Sequence, residues 1–326
     1  MMYSMVMEKP ALFSIDCTLR DFSRGVEILR MGAGVWYRGA YMTVLRTDRN
    51  TGLTPGGGSM HYLGICAIIR DETPFLEEWM AYYLHLGVEA FYLYDNESKV
   101  PVRETLARYS SWLGPKRLVI HNAPGTKLQM ATYGHCVAAY GSRCRWIAFV
   151  DLDEFIVPLR RDSIPEMLEE FESYAGLALH WRLFGSNGHN RRPEGATQLE
   201  LFTRAINDDP IMSVLVKGIM NPAAVDYFPT PHHCVVKEGA GHTVRVDHEP
   251  IYGPCAAPPL WVTGQVNHYY YRAKQDYYAK LRKPRPDLQT VRGIPKKVVT
   301  PPGDEEDLAA LRFLPGVKRI IGKMRE

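Results

Sequence analysis

Short apolar runs alternate with amphipathic stretches from about residue 61 onward. "LGICAIIR" (63–70) has the continuous apolar character of a buried strand. The next stretch, "DETPFLEEWMAYYLHLGV", places Leu76, Trp79, Met80, Tyr83 and Leu84 on one helical face. Thr73 suits its cap, Pro74 its first turn and Gly87 its end. The alternation continues with a strand at 90–98, a helix at 103–114, a strand at 117–121, a helix at 128–141 and a strand at 146–150. A helix at 163–171 opens on a Ser163/Glu166 capping box, and a strand follows at 176–184. Strands and helices in units of about 25–30 residues predict right-handed crossovers and a mostly parallel sheet flanked by helices. This is an α/β fold.

The flanking regions read differently. Residues 1–59 have weak periodicity and end in "TDRNTGLTPGGGSM", so they read as an N-terminal extension. Residues 60–290 form the predicted domain, and 291–326 a C-terminal helical tail. Between 185 and 272 Gly, Pro, His and Asn interrupt every pattern, and helical periodicity returns only near 273–283. That half is expected to lay substrate-facing loops and short strands over the sheet.

Composition narrows the function. The chain has 326 residues, 46% hydrophobic and 23% charged, enough for a large core. The net charge of +3 gives no electrostatic case for a nucleic-acid partner. No run of about 18 apolar residues exists, and "MMYSMVMEKP" lacks the pattern of a secretory signal. A cytoplasmic protein is expected, reaching the inner membrane face at most through the basic, partly apolar end "GVKRIIGKMRE" as a peripheral contact. The six cysteines form no CxxC pair and read as reduced thiols.

The chemistry concentrates at "WIAFVDLDEF" (146–155), where a buried strand runs into Asp151, Asp153 and Glu154. In extended chain Asp151 and Asp153 point the same way, about 7 Å apart. Hard carboxylate oxygens suit Mn²⁺ or Mg²⁺, which usually also bind ligand phosphates. A solvated turn is the plain alternative. A haloacid-dehalogenase reading founders on Phe155 at the fifth position, and an exonuclease reading on spacing and charge. Arg70, Asp71 and Glu72 follow the first strand, and Asp95, Asn96, Glu97 and Ser98 the second. Ligands bind outside the carboxyl ends of such sheets, so these groups predict one continuous site. In "TPHHCVVKEG" three adjacent side chains diverge too far for zinc, and His233 is the histidine taken toward substrate.

The blocks "ICAIIRDETPFLEEWMAYYLHLGVEAFYLYDNES", "RWIAFVDLDEFIVP", "WRLFGSNGH", "VKGIMNP" and "VNHYYYRAKQDYYAKLRKPRPD" occur in one order over roughly residues 61–283. In this the chain resembles glycosyltransferase family 92 and the related bacterial family-2-like transferases. The resemblance implies a GT-A fold, a nucleotide-sugar donor (most commonly UDP-linked), Mn²⁺ or Mg²⁺, and inversion at the sugar. It implies donor contacts from Arg70, Asp71, Glu72, Asn96, Glu97, Gln129 and Asp151. Metal contacts fall to Asp151, Asp153 and His268, and diphosphate contacts to Lys280 and Arg282. Trp181, Gly185, Ser186, His189 and Lys217 are expected at the sugar and acceptor pocket.

A cation at the diphosphate stabilises the charge of the leaving group, and a carboxylate base activates the attacking hydroxyl. Glu194, Asp208 and Asp209 are the base candidates. The acceptor is expected to be a glycan or a lipid-linked glycan, as in envelope or capsular polysaccharide synthesis. The alternative is a non-catalytic nucleotide-sugar-binding or scaffold protein on the same fold.

Overall fold

The computed structural model describes residues 61–207, 209, 211–283 and 299–326; the predicted extension 1–59 and Asp208 lie outside them. The first half alternates as its pattern predicts. Strand β1 (His61–Ile69) leads to helix α1 (Thr73–His85), then β2 (Ala90–Asp95), α2 (Val102–Thr105), α3 (Ala107–Leu113) and β3 (Leu118–Asn122). Helix α4 (Gln129–Tyr140) precedes β4 (Cys144–Phe149), and β5 (Glu154–Pro158), α5 (Ile164–Leu168) and β6 (Gly176–Leu183) follow. The second half carries α6 (Gln198–Leu201), β7 (Arg204–Ala205), β8 (Val216–Met220), β9 (Val225–Thr230), β10 (His233–Val236) and β11 (Thr243–Val244). It closes with β12 (Gly264–His268), α7 (Lys274–Arg282), β13 (Glu305–Glu306) and α8 (Leu314–Arg325).

The main sheet has the order β3-β2-β1-β4-β8-β6-β12-β5, with β11 beside β6. It is mostly parallel; β8 and β5 run against the others. The irregular half therefore does more than cover the sheet. It inserts β8 between β4 and β6, and β12 between β6 and β5. Short strands were expected here only over the sheet, not within it, because "VKGIM" and "GQVNH" bury Lys217, Gln265, Asn267 and His268 where apolar residues are expected of a central strand.

Local signals also shifted. Helix α1 begins at Thr73 itself without a side-chain cap, and the Thr73 hydroxyl turns to Val100 O instead. The Ser163 hydroxyl accepts from Glu166 N at 3.3 Å, but the Glu166 carboxylate accepts from Asp162 N, so only half the capping box forms. The predicted 103–114 helix breaks at Leu106 into α2 and α3.

Helix α1 clamps the core beneath the future site. Tyr82 OH donates to Ile156 O, and Tyr83 OH donates to Glu154 O while accepting from Ile156 N. Tyr82 and Tyr83 also pack against Phe155, holding β5 in place. Residues 299–326 pack into this body. β13 pairs with β7, and α8 lies on α1 with Val317 and Met324 buried, so the apolar side of "GVKRIIGKMRE" is spent inward. Among the described residues no helix is long and apolar enough to cross a membrane.

Gly185 shows how closely the C-terminal segment fits. A Cβ there would lie 2.5–2.6 Å from the backbone of Pro302. Gly185→Ala should therefore destabilise the protein by about 1–3 kcal/mol through overpacking, measured by urea unfolding.

On the opposite face, between α4 and β2/β3, Tyr94 OH and His135 Nδ1 lie 2.7 Å apart, as do His121 Nε2 and Tyr140 OH. Burial, with His135 nearby, lowers His121 from 6.5 to about 4. The unfolded chain thus takes up this proton first as pH falls, so the stabilising contribution is complete above about 6.5 and is lost toward about 4. A urea-unfolding series across this window should show a shallower acid loss for His121→Gln than for the wild type.

Candidate functional site

The 151–154 carboxylates sit where the chain crosses the sheet. β4 ends at Phe149 in mid-sheet, and β5 begins at Glu154 on its far edge. The segment between them spans the carboxyl edge of β6 and β12, with Glu154 in register with His268 and Tyr269 N donating to Asp153 O at 2.8 Å. It turns as it crosses, since Glu154 N donates to Asp151 O. Asp151 and Asp153 are therefore not aligned as in extended chain, and each takes its own partners.

Asp151 accepts from Gln129 Nε2 at 2.8 Å on one oxygen and from Lys217 Nζ at 3.1 Å on the other, with 33% of its side chain exposed. Gln129 reaches it because it opens α4, and Lys217 because β8 lies next to β4. Glu154 has no exposed side chain; it accepts from Trp181 Nε1 at 2.8 Å and from Asp151 N at 2.7 Å, and lies 3.2 Å from Lys217 Nζ. One ammonium cannot fully compensate two carboxylates. Burial, outweighing Lys217, pushes the Glu154 carboxyl up to about 8. Burial would lower Lys217, but Asp151 and Glu154 hold it well above its ordinary value.

Asp153 pairs with Lys280 on α7 and lies 3.5 Å from His268 Nε2. Burial would raise its pKa, but Lys280 and His268 hold it well below the usual carboxylate range. Burial lowers His268, outweighing the pull of Asp153. A third ionic group adjoins. Glu72 binds Arg272 at 2.6 Å and Lys283 at 2.8 Å, and Arg272 also donates to Leu152 O. Burial would raise Glu72, yet Arg272 and Lys283 bring it below its ordinary value. The cluster thus sets Asp151, Asp153, Glu154 and Glu72 against Lys217, Lys280, Arg272 and Lys283.

The strand-end loops on the other side are tied together. Asn96 Nδ2 donates to Ala123 O and Gly125 O, Arg70 reaches Asn96 Oδ1 at 3.4 Å, and Glu97 accepts from Gly125 N. Asp71 accepts from Lys99 N, so its carboxylate is partly spent on the loop. Arg70, Asn96 and Glu97 thus form one tied group at the carboxyl ends of β1 and β2, the same edge of the sheet at which Gln129 meets Asp151.

Several residues lie elsewhere than their motifs suggested. Gly185 and Ser186 hold the C-terminal segment, with Ser186 N donating to Pro301 O. Trp181 is buried, its ring faced by His268 at 4.1 Å and His232 at 4.7 Å, so no face is left for a sugar. His189 engages through its backbone, its carbonyl accepting from Lys274 N at the start of α7. Lys217 is 1% exposed and belongs to the carboxylate cluster, not to an acceptor pocket. Arg282 is exposed, and the next residue, Lys283, takes the inward place. Glu194 is exposed in a turn, and the Asp209 carboxylate accepts from Ile211 N and Met212 N.

Of the adjacent histidines, His233 turns inward, with Nδ1 buried and unbonded. His232 stands at the carboxyl edge, 3.0 Å from Val216 O. A carbonyl only accepts, so Nδ1 carries the proton there. His232 was weighed beside His233 and not chosen, while Arg272 and Lys283 were missed; only the basic composition of "YYYRAKQDYYAKLRK" hinted at them.

The fit of a divalent cation rests on Asp153 and His268. Among the described residues no group of three or more His, Cys, Asp or Glu could hold a metal ion. Asp153 and His268 still supply a carboxylate and an imidazole; the Asp153 carboxylate 3.5 Å from Nε2 draws the ring proton to that nitrogen, and Nδ1, buried without a hydrogen-bond partner, is the nitrogen that must take the proton for Nε2 to ligate an ion. That pair fits an ion that completes its shell with ligand phosphates and water.

The site thus lies at the carboxyl edge of a mostly parallel α/β sheet. The description of glycosyltransferase family 92 matches residues 61–251, and the chain belongs to that family. It is 27% identical over 235 residues to a family 92 protein of Arabidopsis thaliana, covering 69% of this chain and 38% of that one. A family 92 protein of Ricinus communis is 24% identical over 262 residues, covering 78% of this chain and 44% of that protein. The chain therefore spans about two fifths of these relatives. Among solved structures, S. aureus TarS (residues 1–349, in complex with UDP) is similar at 14% identity and a TM-score of 0.34, covering 52% of this chain and 50% of that one.

Removing the shared cation exposes its role. Lys217→Met should destabilise the protein by about 3–5 kcal/mol by leaving buried carboxylate uncompensated. Adding Glu154→Gln should recover part of that loss, with both variants read by chemical denaturation.

Proposed function

We propose that the domain is a metal-dependent glycosyltransferase, moving a sugar from a nucleoside-diphosphate sugar to a hydroxyl of a glycan or lipid-linked acceptor. The observation that carries this reading is Asp153. It is a strongly acidic carboxylate at the carboxyl edge of the sheet, beside His268 and facing the ammonium of Lys280. Family membership supports the reaction class.

Asp153 and His268 would hold Mn²⁺ or Mg²⁺. When bound, the cation supplies Lewis-acid stabilisation of the departing diphosphate. The residues of the chain supply the rest. Gln129 and Lys217 fix Asp151 from both sides, so its carboxylate meets the donor as a preorganised acceptor for a sugar hydroxyl such as that of a ribose. Arg70, Asn96 and Glu97 line the nucleoside side through loops already tied together. Lys280 adds positive charge for the diphosphate. UDP is the proposed carrier and inversion the proposed outcome, both on the family resemblance. Asp209 spends its carboxylate on two amides and Glu194 faces solvent, so neither is assigned the role of base.

A thermal-shift panel of UDP, GDP, CDP and ADP, each with and without Mn²⁺, tests the reading. One nucleotide should raise the melting temperature in a Mn²⁺-dependent way, by the equivalent of about 2.7 kcal/mol at 100 times its dissociation constant. Asp153→Asn should abolish the metal-dependent part. A wild type that responds to none of the four would contradict the proposal.

A further inference from the structure

We propose that Lys280 and the divalent cation compete for Asp153, so that the nucleoside diphosphate must draw Lys280 away before the ion binds tightly. This rests on the reading of Asp153 and His268 as the ion's protein ligands. It adds an order of binding, and it assigns Lys280 two alternative anionic partners.

Three observations carry it. Lys280 Nζ is ion-paired to Asp153 Oδ2, the same oxygen that lies 3.5 Å from His268 Nε2. An ammonium and a divalent ion cannot share that place at close range, because like charges repel strongly in a buried site. Second, the lysine is held there from more than one direction. Its ammonium lies 3.8 Å from the Tyr270 ring centroid and reaches Tyr270 O at 3.4 Å. An ion entering without the diphosphate must displace a cation that is already well satisfied.

Third, among the described residues the neighbouring charges leave Lys280 no other carboxylate. Glu72 is taken by Arg272 and Lys283, while Asp151 and Glu154 share Lys217. Among the described residues, only Lys280 and Asp153 of these eight charged groups form a pair with no other ionic partner besides His268. A diphosphate brings the anionic oxygens that let Lys280 leave Asp153 without losing compensation. The same exchange frees Asp153 for the metal. Nucleotide and metal therefore bind with positive coupling, and reciprocity requires each to tighten the other by the same factor.

Mn²⁺ binding, read from the electron paramagnetic resonance signal of the free ion, tests this with wild type, Lys280→Gln and Lys280→Arg. Each is titrated with Mn²⁺ alone and with Mn²⁺ plus UDP, and UDP alone is titrated calorimetrically. Without nucleotide, Lys280→Gln should bind Mn²⁺ at least ten-fold tighter than wild type, while Lys280→Arg stays close to wild type. Lys280→Gln should also bind UDP alone more weakly, and UDP should strengthen its Mn²⁺ binding less than it does in wild type. The opposite signs of the two changes separate an exchange from simple damage to the site. Equal Mn²⁺ affinity in wild type and Lys280→Gln, with UDP binding intact, would overturn the competition and leave the functional reading standing. Failure of wild type to bind UDP with or without Mn²⁺ would overturn both.

Discussion

Three carboxylates within four residues, carried through the interior at a strand crossover, must each find a cation or keep a proton. That constraint organises the rest of the structure. Glu154 is fully buried at the start of β5, and desolvating a carboxylate costs far more than one hydrogen bond returns. The fold answers with Lys217, which reaches both Glu154 and Asp151 only because β8 is threaded antiparallel between β4 and β6. It answers again with β12, whose register against β5 sets His268 beside Asp153. Lys280 comes from α7, anchored through His189 O to the loop after β6. β8, β12 and α7 of the second half thus each deliver one basic side chain to the crossover.

The two acidic residues of the motif therefore differ in character. Asp151 is committed to Gln129 and Lys217 and is fixed before any ligand arrives. Asp153 is held by a lysine on a more peripheral helix and by a histidine with a spare nitrogen. A preorganised acceptor beside an exchangeable anion suits a ligand that carries both hydroxyls and phosphates. This links the geometry to the nucleotide-sugar donor proposed for this member of glycosyltransferase family 92.

Much of the fold was legible because its first half follows simple periodicities. β1, α1, β2, β3, α4, β4 and β6 all fall within the predicted runs, give or take a few terminal residues. Legibility failed where charge was buried. "VKGIM" and "GQVNH" look like loop text, yet they are central strands because their polar side chains face partners within the protein. For the site, strand-end logic expected Arg70, Asn96, Asp151 and Asp153 along one edge, and all four follow the carboxyl ends of β1, β2 and β4. The 181–189 block was harder to read. Its glycine and serine looked exposed, while Gly185 and Ser186 in fact receive the distant segment 300–303, and no local pattern encodes so remote a contact. Lys217 was taken for an acceptor contact because its partners lie more than sixty residues away at Asp151 and Glu154.

The most direct test of the account is a crystal of the protein with UDP and Mn²⁺, measured at the manganese absorption edge. The account predicts an anomalous peak bonded to Asp153 and His268, the diphosphate on its far side, and Lys280 withdrawn from Asp153. Bound UDP with its ion elsewhere, or a nucleotide away from the edge formed by Arg70, Asn96 and Asp151, would contradict it.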